Sequence, residues 1–181
     1  MNIYFTSDTH FGSERTLKFS GRPFDTTKEM DRHIINEWNK TVKREDLVWH
    51  LGDFGNLNIA KYLNGKIILI KGNYEENIPD EKLKEIFHDV SSLARYCYNN
   101  GELKYVCAHK PSDCKAVLMK KRQEQPDVFG LFGHIHGLQK VKKWGYNVGT
   151  DPNHYRLVSM DQLEMRINAI KNHYDEEVWM S

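Results

Sequence analysis

Apolar residues fall in short runs broken by turn formers, alternating with stretches of helical period. Residues 2–7 hold Ile3, Tyr4 and Phe5 together and read as a buried first strand. Residues 47–51 and 66–71 are further apolar runs, each followed by glycine, which predicts central strands. Between the first run and the second, Met30, Ile34 and Trp38 recur at i, i+4 and i+8, one face of a helix. Thr26 and Glu29 stand at the spacing of a capping box in front of it.

The second half repeats the alternation. Residues 79–88 predict a helix with Leu83 and Phe87 on its inner side. Residues 94–98 and 103–108 flank Asn99-Asn100-Gly101, a hairpin turn in which Asn and Gly tolerate positive φ. Residues 113–124 read as a lysine-rich helix with Val117 and Leu118 inward. Strands follow at 128–132, 138–142 and 155–158, and Ser159 with Gln162 opens a last helix. No linker or repeat interrupts the chain, so residues 1–181 read as one α/β domain.

Composition narrows the class. Apolar residues are 39% and charged residues 28%, an ordinary globular mixture, and the formal net charge of +1 argues against a dedicated nucleic-acid coat. Cys97, Cys107 and Cys114 are odd in number with no C-x-x-C pair, which reads as free thiols in a reducing compartment. No signal sequence or membrane-length apolar run is visible, so the expectation is a soluble, cytoplasmic protein without a membrane partner.

Candidate chemistry clusters just past the predicted strands. Asp8-Thr9-His10 follows the first; Gly52-Asp53 and Gly72-Asn73 follow the next two. His109 and Gly133-His134-Ile135-His136 follow two later ones. In extended backbone, positions i and i+2 point the same way, so Asp8 with His10, and His134 with His136, are each expected to face one ion. Two Asp, four His and one Asn suit borderline divalent metals better than Ca²⁺, and seven ligands exceed one ordinary site with an open position. Each segment alone is an ordinary turn or surface feature; their joint occurrence after strands is what points to a centre for two ions.

The ordered set D-x-H, G-D, G-N, H and G-H-x-H, with the stretches DTHFG, GRPF, HLGDF and NVGTD, resembles the calcineurin-like metallophosphoesterases, a small bacterial or phage branch of them. The resemblance runs from Ile3 to about Asp151. It implies a four-layer α/β fold, two facing mixed β-sheets flanked by helices, and a dinuclear phosphoesterase acting on a phosphodiester or phosphomonoester; the diester is favoured because Tyr74 stands in place of the family's usual acid. It assigns Asp8, His10 and His136 to one ion and Asn73, His109 and His134 to the second, with Asp53 bridging. The ions implied are two divalent metals, Mn²⁺ first, with Fe²⁺, Zn²⁺ or Ni²⁺ as alternatives. Two cations ~3.5–4 Å apart share a water, bring its pKa towards ~7, and so supply a bridging hydroxide as nucleophile.

Two positions depart from the resembled pattern. Tyr74 stands where most of the family has a histidine that protonates the leaving group, and Ser13 stands where the similar branch has another histidine. A phenol is ordinarily a weaker acid catalyst than imidazolium at neutral pH, yet it still donates a hydrogen bond. Asp53, Asn73 and Tyr74 are therefore the candidate catalytic groups. Arg22 and Lys110, and more distantly Arg15, are candidate contacts for substrate phosphate. The substrate expected is a phosphate ester, nucleotide-like compounds included. The competing reading is a catalytically weak or inactive protein of this fold serving as a protein-interaction scaffold, as the retromer subunit of the same fold does; a third is a non-catalytic nucleic-acid binder, against which the near-neutral charge argues. His50 reads as a strand residue packed beneath the site, and His33, His88, His154 and His173 as surface or helix positions.

Overall fold

Strands that are apolar on both faces need cover on both sides, and the chain supplies it in four layers. A computed structural model describes residues 1–174. One five-stranded sheet contains β1 (Ile3–Thr6), β2 (Leu47–His50), β3 (Lys66–Ile70) and β4 (Asp89–Ser91), with β10 (Val158–Ser159) on the outer side of β1. The first four run parallel, and β10 pairs antiparallel with β1. The second sheet runs β5 (Ala94–Asn99), β6 (Glu102–Ala108), β7 (Phe129–Phe132), β9 (Gly145–Asn147) and β8 (Val141–Lys142). Within it β6, β7 and β9 are parallel and the two outer strands antiparallel.

Alternate residues of each strand divide between two cores. Phe5, Trp49, Leu51, Ile68 and Ile70 meet Tyr105, Cys107, Phe129 and Leu131 between the sheets. The opposite face, with Tyr4, Val48, Ile67 and Leu69, is covered by Met30, Ile34 and Trp38 of α2 (Thr27–Thr41). α4 (Pro111–Lys121) lays Cys114 and Leu118 on the outside of the second sheet, against Val106, Ala108 and Phe132. α5 (Met160–His173) turns Leu163, Ile167 and Ile170 into the central core. The two mixed sheets with flanking helices are the architecture expected. All three cysteines are free and buried, and among the described residues no helix is long and apolar enough to cross a membrane.

Several elements differ from expectation. Ser159 and Gln162 form a complete capping box, whereas Thr26 accepts from the Glu29 N–H while the Glu29 carboxylate turns to the N–H of Asp25. The helix expected over 79–88 shrinks to α3 (Asp80–Lys84), because residue 88 already bonds β3 through its N–H to the Ile67 carbonyl and leads into the unforeseen β4. α1 (Glu14–Phe19) and β9 were not expected at all. The strand expected over 155–158 cannot begin at Tyr155, whose φ is +60°. Asn100 and Gly101 do take positive φ, 50° and 78°, in the β5–β6 turn.

His50 gives the fold a pH dependence. Thr9 Oγ1 donates to the Phe54 carbonyl at 2.9 Å, so at 3.0 Å from His50 Nε2 it accepts, which puts the imidazole proton on Nε2. Nδ1 is then a buried lone pair without a partner, and burial holds this histidine neutral, its pKa down at about 3. The unfolded imidazole ionises near pH ~6.5, so stability should fall as pH drops below that value, by about 1.4 kcal/mol at pH 5.5. Chelator-treated wild type should lose that much more than His50→Leu between pH 7.5 and 5.5 in urea titrations. Equal losses in the two proteins would refute the assignment.

Candidate metal centre

Parallel neighbours deliver their carboxyl ends to one rim of a sheet, so the loops after β1, β2 and β3 emerge side by side. The second sheet joins that rim through a bridge between Ser7 and Gly149 and through the His134 N–H, which donates to the Asp8 carboxylate. Glycines make the close approach possible. A Cβ on Gly72 would overlap the carboxylate of Asp53, and one on Gly133 would overlap Ser7 Oγ and the Asp8 carboxylate. The backbone is strained here as well: Asp8 (57°), His10 (49°), Asp53 (55°), His134 (70°) and His136 (47°) all have positive φ. Non-glycine residues rarely adopt this region, and strain concentrated on chemistry-bearing side chains is a mark of a functional site.

The side chains converge in two groups, Asp8 with His10 and His136, and Asp53 with His109 and His134. Within each, one nitrogen or oxygen per residue lies within 4.8 Å of the others. Asp53 Oδ2 stands 3.5 Å from His10 Nε2 and 3.5 Å from His109 Nε2, between the groups. His109 Nδ1 donates to the Leu51 carbonyl at 2.7 Å, leaving Nε2 as a lone pair 3.1 Å from His134 Nδ1. His136 Nδ1 is anchored in the same manner by Asp151 Oδ2 at 2.8 Å and Ser20 Oγ at 3.1 Å. Asn73 is exposed on its loop at the meeting of two clefts, one with His109 and Lys110, the other with His10, Asp53 and His136.

The same-face expectation for His134 and His136 fails. Both residues have left-handed backbone, so the extended-chain rule does not apply and the two imidazoles enter different groups. Asp8 and His10 do share a group, but through that same left-handed turn.

Electrostatics favour a cation. Burial raises the Asp8 pKa against the opposing charges of His109 and His136. Burial, with His136 and Arg22 nearby, pushes His10 down to about 2, a neutral imidazole. Neither ring nitrogen of His10 has a hydrogen-bond partner although the residue is buried. Burial and His109 likewise lower His134. Burial opposes the charge on His136, but its bond to Asp151 and the nearby Asp8 outweigh this and raise its pKa, so a cation there would displace a proton. Buried carboxylates facing the neutral imidazoles of His10 and His134 are the donor set of a divalent ion.

The expectation that Arg22 binds substrate is corrected. Its five N–H groups are all committed: two to Asp151, and one each to the Thr9 carbonyl, the Asp8 carbonyl and Met30 Sδ. With the residue buried, none remains for a phosphate. Lys110 stays at the cleft with His109, and Arg15 is exposed beside His10 and Tyr74. Tyr74 sits edge-on to His10, ring centroids 4.6 Å apart, with its hydroxyl 3.3 Å from Ser13 Oγ. The two departures from the resembled pattern therefore touch.

Two carboxylates escaped the sequence reading. Asp151 holds Arg22 and His136 together; burial raises its pKa, but hydrogen bonds from His136 and Arg22 outweigh this and bring it to about 2. Glu75, buried, accepts from the N–H groups of Asp53, Phe54 and Gly72 and so ties two loops. Their positions within NVGTD and directly after Gly72-Asn73-Tyr74 were the available signals.

A fold of two facing sheets with paired carboxylate–imidazole groups at the strand ends defines a metallophosphoesterase. The chain belongs to the calcineurin-like phosphoesterase superfamily, whose domain matches residues 1–152. It is 29% identical over 176 residues to an uncharacterized protein of Methanocaldococcus jannaschii, covering 89% of this chain and 88% of that one. It is 25% identical over 218 residues to the gene 66 protein of Mycobacterium phage L5, covering 98% of each. Among solved structures, a protein of unknown function from Aquifex aeolicus superposes with a TM-score of 0.74 at 24% identity, over 92% of this chain and 99% of that one. At that identity the likeness speaks of the fold alone.

Proposed function

We propose that the chain hydrolyses phosphodiesters with two divalent ions, Mn²⁺ the first choice, held by Asp8, His10 and His136 on one side and Asn73, His109 and His134 on the other. The observation that carries this reading is Asp53 Oδ2, 3.5 Å from an imidazole of each group and so placed to be shared. When bound, such ions neutralise phosphoryl oxygens and acidify a water towards ~7, making a nucleophile at neutral pH.

The chain's own residues do the rest. Leu51 and Asp151 fix the tautomers of His109 and His136, so that each presents its second nitrogen to the centre. Glu75 holds the Asp53 and Gly72 backbones, and with them the bridging carboxylate. Ser13 Oγ gives its own proton to Thr16 Oγ1 and so accepts from the Tyr74 hydroxyl; when substrate is bound, Tyr74, at the cleft mouth, turns that proton from Ser13 to the departing oxygen. Lys110 offers a cation on the far side. Two clefts that meet at Asn73 leave room for both arms of a diester, which favours it over a monoester. The concentrated backbone strain supports catalysis over scaffolding, since an interaction platform does not need it.

The purified protein should turn over bis-p-nitrophenyl phosphate in Mn²⁺ faster than p-nitrophenyl phosphate, lose the activity in EDTA, and regain it with added metal. Two ions bound without turnover of either compound would sink the enzyme reading.

A further inference from the structure

The cleft above His10 and His136 has a volume of about 730 Å³, several times what a phosphate group fills. Its outer side is apolar in an unusual way. Phe19 is 81% exposed and Leu138 is 89% exposed, and both line this cleft. Single exposed apolar residues are commonplace, but two nearly bare ones flanking the same candidate ligand are not accounted for by any packing among the described residues. The flanking is built in. Phe19 ends α1 with its ring edge-on to the His136 imidazole, centroids 6.5 Å apart, and the next residue, Ser20, bonds His136 Nδ1. Leu138 closes the short 3₁₀ turn His136–Leu138 that starts at the same histidine. Tyr74, 43% exposed, adds an aromatic ring to the same cleft. The other cleft is unlike it: Lys71, Lys110, Asp113 and Glu76 give it a charged lining.

We propose that Phe19 and Leu138 determine specificity by binding a flat aromatic group carried on one ester oxygen of the substrate, with the second arm in the charged cleft beside Lys110. The proposal rests on the phosphoesterase reading and adds the class of diester: one aromatic arm, one polar arm. An aromatic group bound to phosphorus at the metal centre reaches this wall without leaving the cleft, because His136 belongs to both. Stacking against exposed aromatic and aliphatic side chains strengthens such binding about tenfold or more.

Phenylphosphonate and methylphosphonate test it, since neither carbon–phosphorus bond is a substrate for ester hydrolysis and the two differ in the flat group alone. Calorimetric titration of the Mn²⁺-loaded wild-type protein should give a Kd for phenylphosphonate about tenfold below that for methylphosphonate. In Phe19→Ala/Leu138→Ala the ratio should fall below about threefold, with the methylphosphonate Kd unmoved. If methylphosphonate binds and the ratio is near one in wild type, or survives the double substitution, the wall is overturned and the phosphate site stands. An equal loss for both ligands in the variant also overturns it, as a structural effect. If neither phosphonate binds the metal-loaded protein, the site reading falls and the wall with it.

Discussion

Asp53→Asn is expected to lower turnover of bis-p-nitrophenyl phosphate by at least about a hundredfold and to reduce the Mn²⁺ bound per chain from two. Removing an outer hydrogen-bond partner of a metal ligand already costs roughly 10–100-fold in affinity or activity, so a carboxylate shared by both groups sets the higher figure as a floor. The substitution is nearly isosteric. Asp53 Oδ1 accepts from the Tyr74 N–H at 3.0 Å, and an amide oxygen accepts there equally well, so the loop keeps its anchor. What changes is Oδ2, which becomes an amide nitrogen or loses its charge at the point 3.5 Å from His10 and His109. No larger residue can compensate from Gly72, because a Cβ there would strike Asp53 itself. Melting in EDTA should leave variant and wild type close together, which separates loss of function from loss of fold. A variant with two ions and turnover within about threefold of wild type would show that Asp53 is not shared, since that lies below even the outer-partner cost.

How far the sequence could be read depended on whether a feature was local. β1, β2, β3 and β7 were legible because strands buried on both faces are continuous apolar runs. β9 was not, since Gly145-Tyr146-Asn147 has no such run and is held in place by its parallel neighbour β7. α1 was hidden for a related reason: six residues with only Thr16 and Leu17 buried make too short a stripe to show a period. At the site, residue types and their order after strands were readable; how they divide between two groups was not. Left-handed φ at His134 and His136 is imposed by tertiary contacts, including the His134 N–H donating to Asp8, from the other sheet. Arg22 shows the limit most clearly. An arginine near a candidate phosphate site is chemically plausible as a substrate contact, and only the positions of Asp8, Thr9, Met30 and Asp151 reveal that its donors are spent.

That placement makes Arg22→Met strongly destabilising, on the scale of truncating a fully buried aromatic. The guanidinium makes a two-pronged pair with Asp151, at 2.8 and 2.9 Å, with its own side chain fully buried. Deleting one partner of a buried pair strands the other charge and costs about 3–5 kcal/mol, and here two backbone carbonyls of the strained Asp8–Thr9 turn also lose their donor. For a chain of this length that corresponds to a Tm lower by roughly 10 °C or more. Chemical denaturation in EDTA measures it, and a loss below about 1 kcal/mol would contradict the burial and pairing assigned to Arg22. Adding Asp151→Leu should recover part of the stability, because removing both charges leaves neither unpaired. It should not recover activity, since His136 then lacks the carboxylate that fixes its Nδ1 proton and turns its second nitrogen to the centre. Stability and activity parting in the double variant would locate Arg22 and Asp151 as one strut that holds the Asp8 turn and the His136 ring in a common frame.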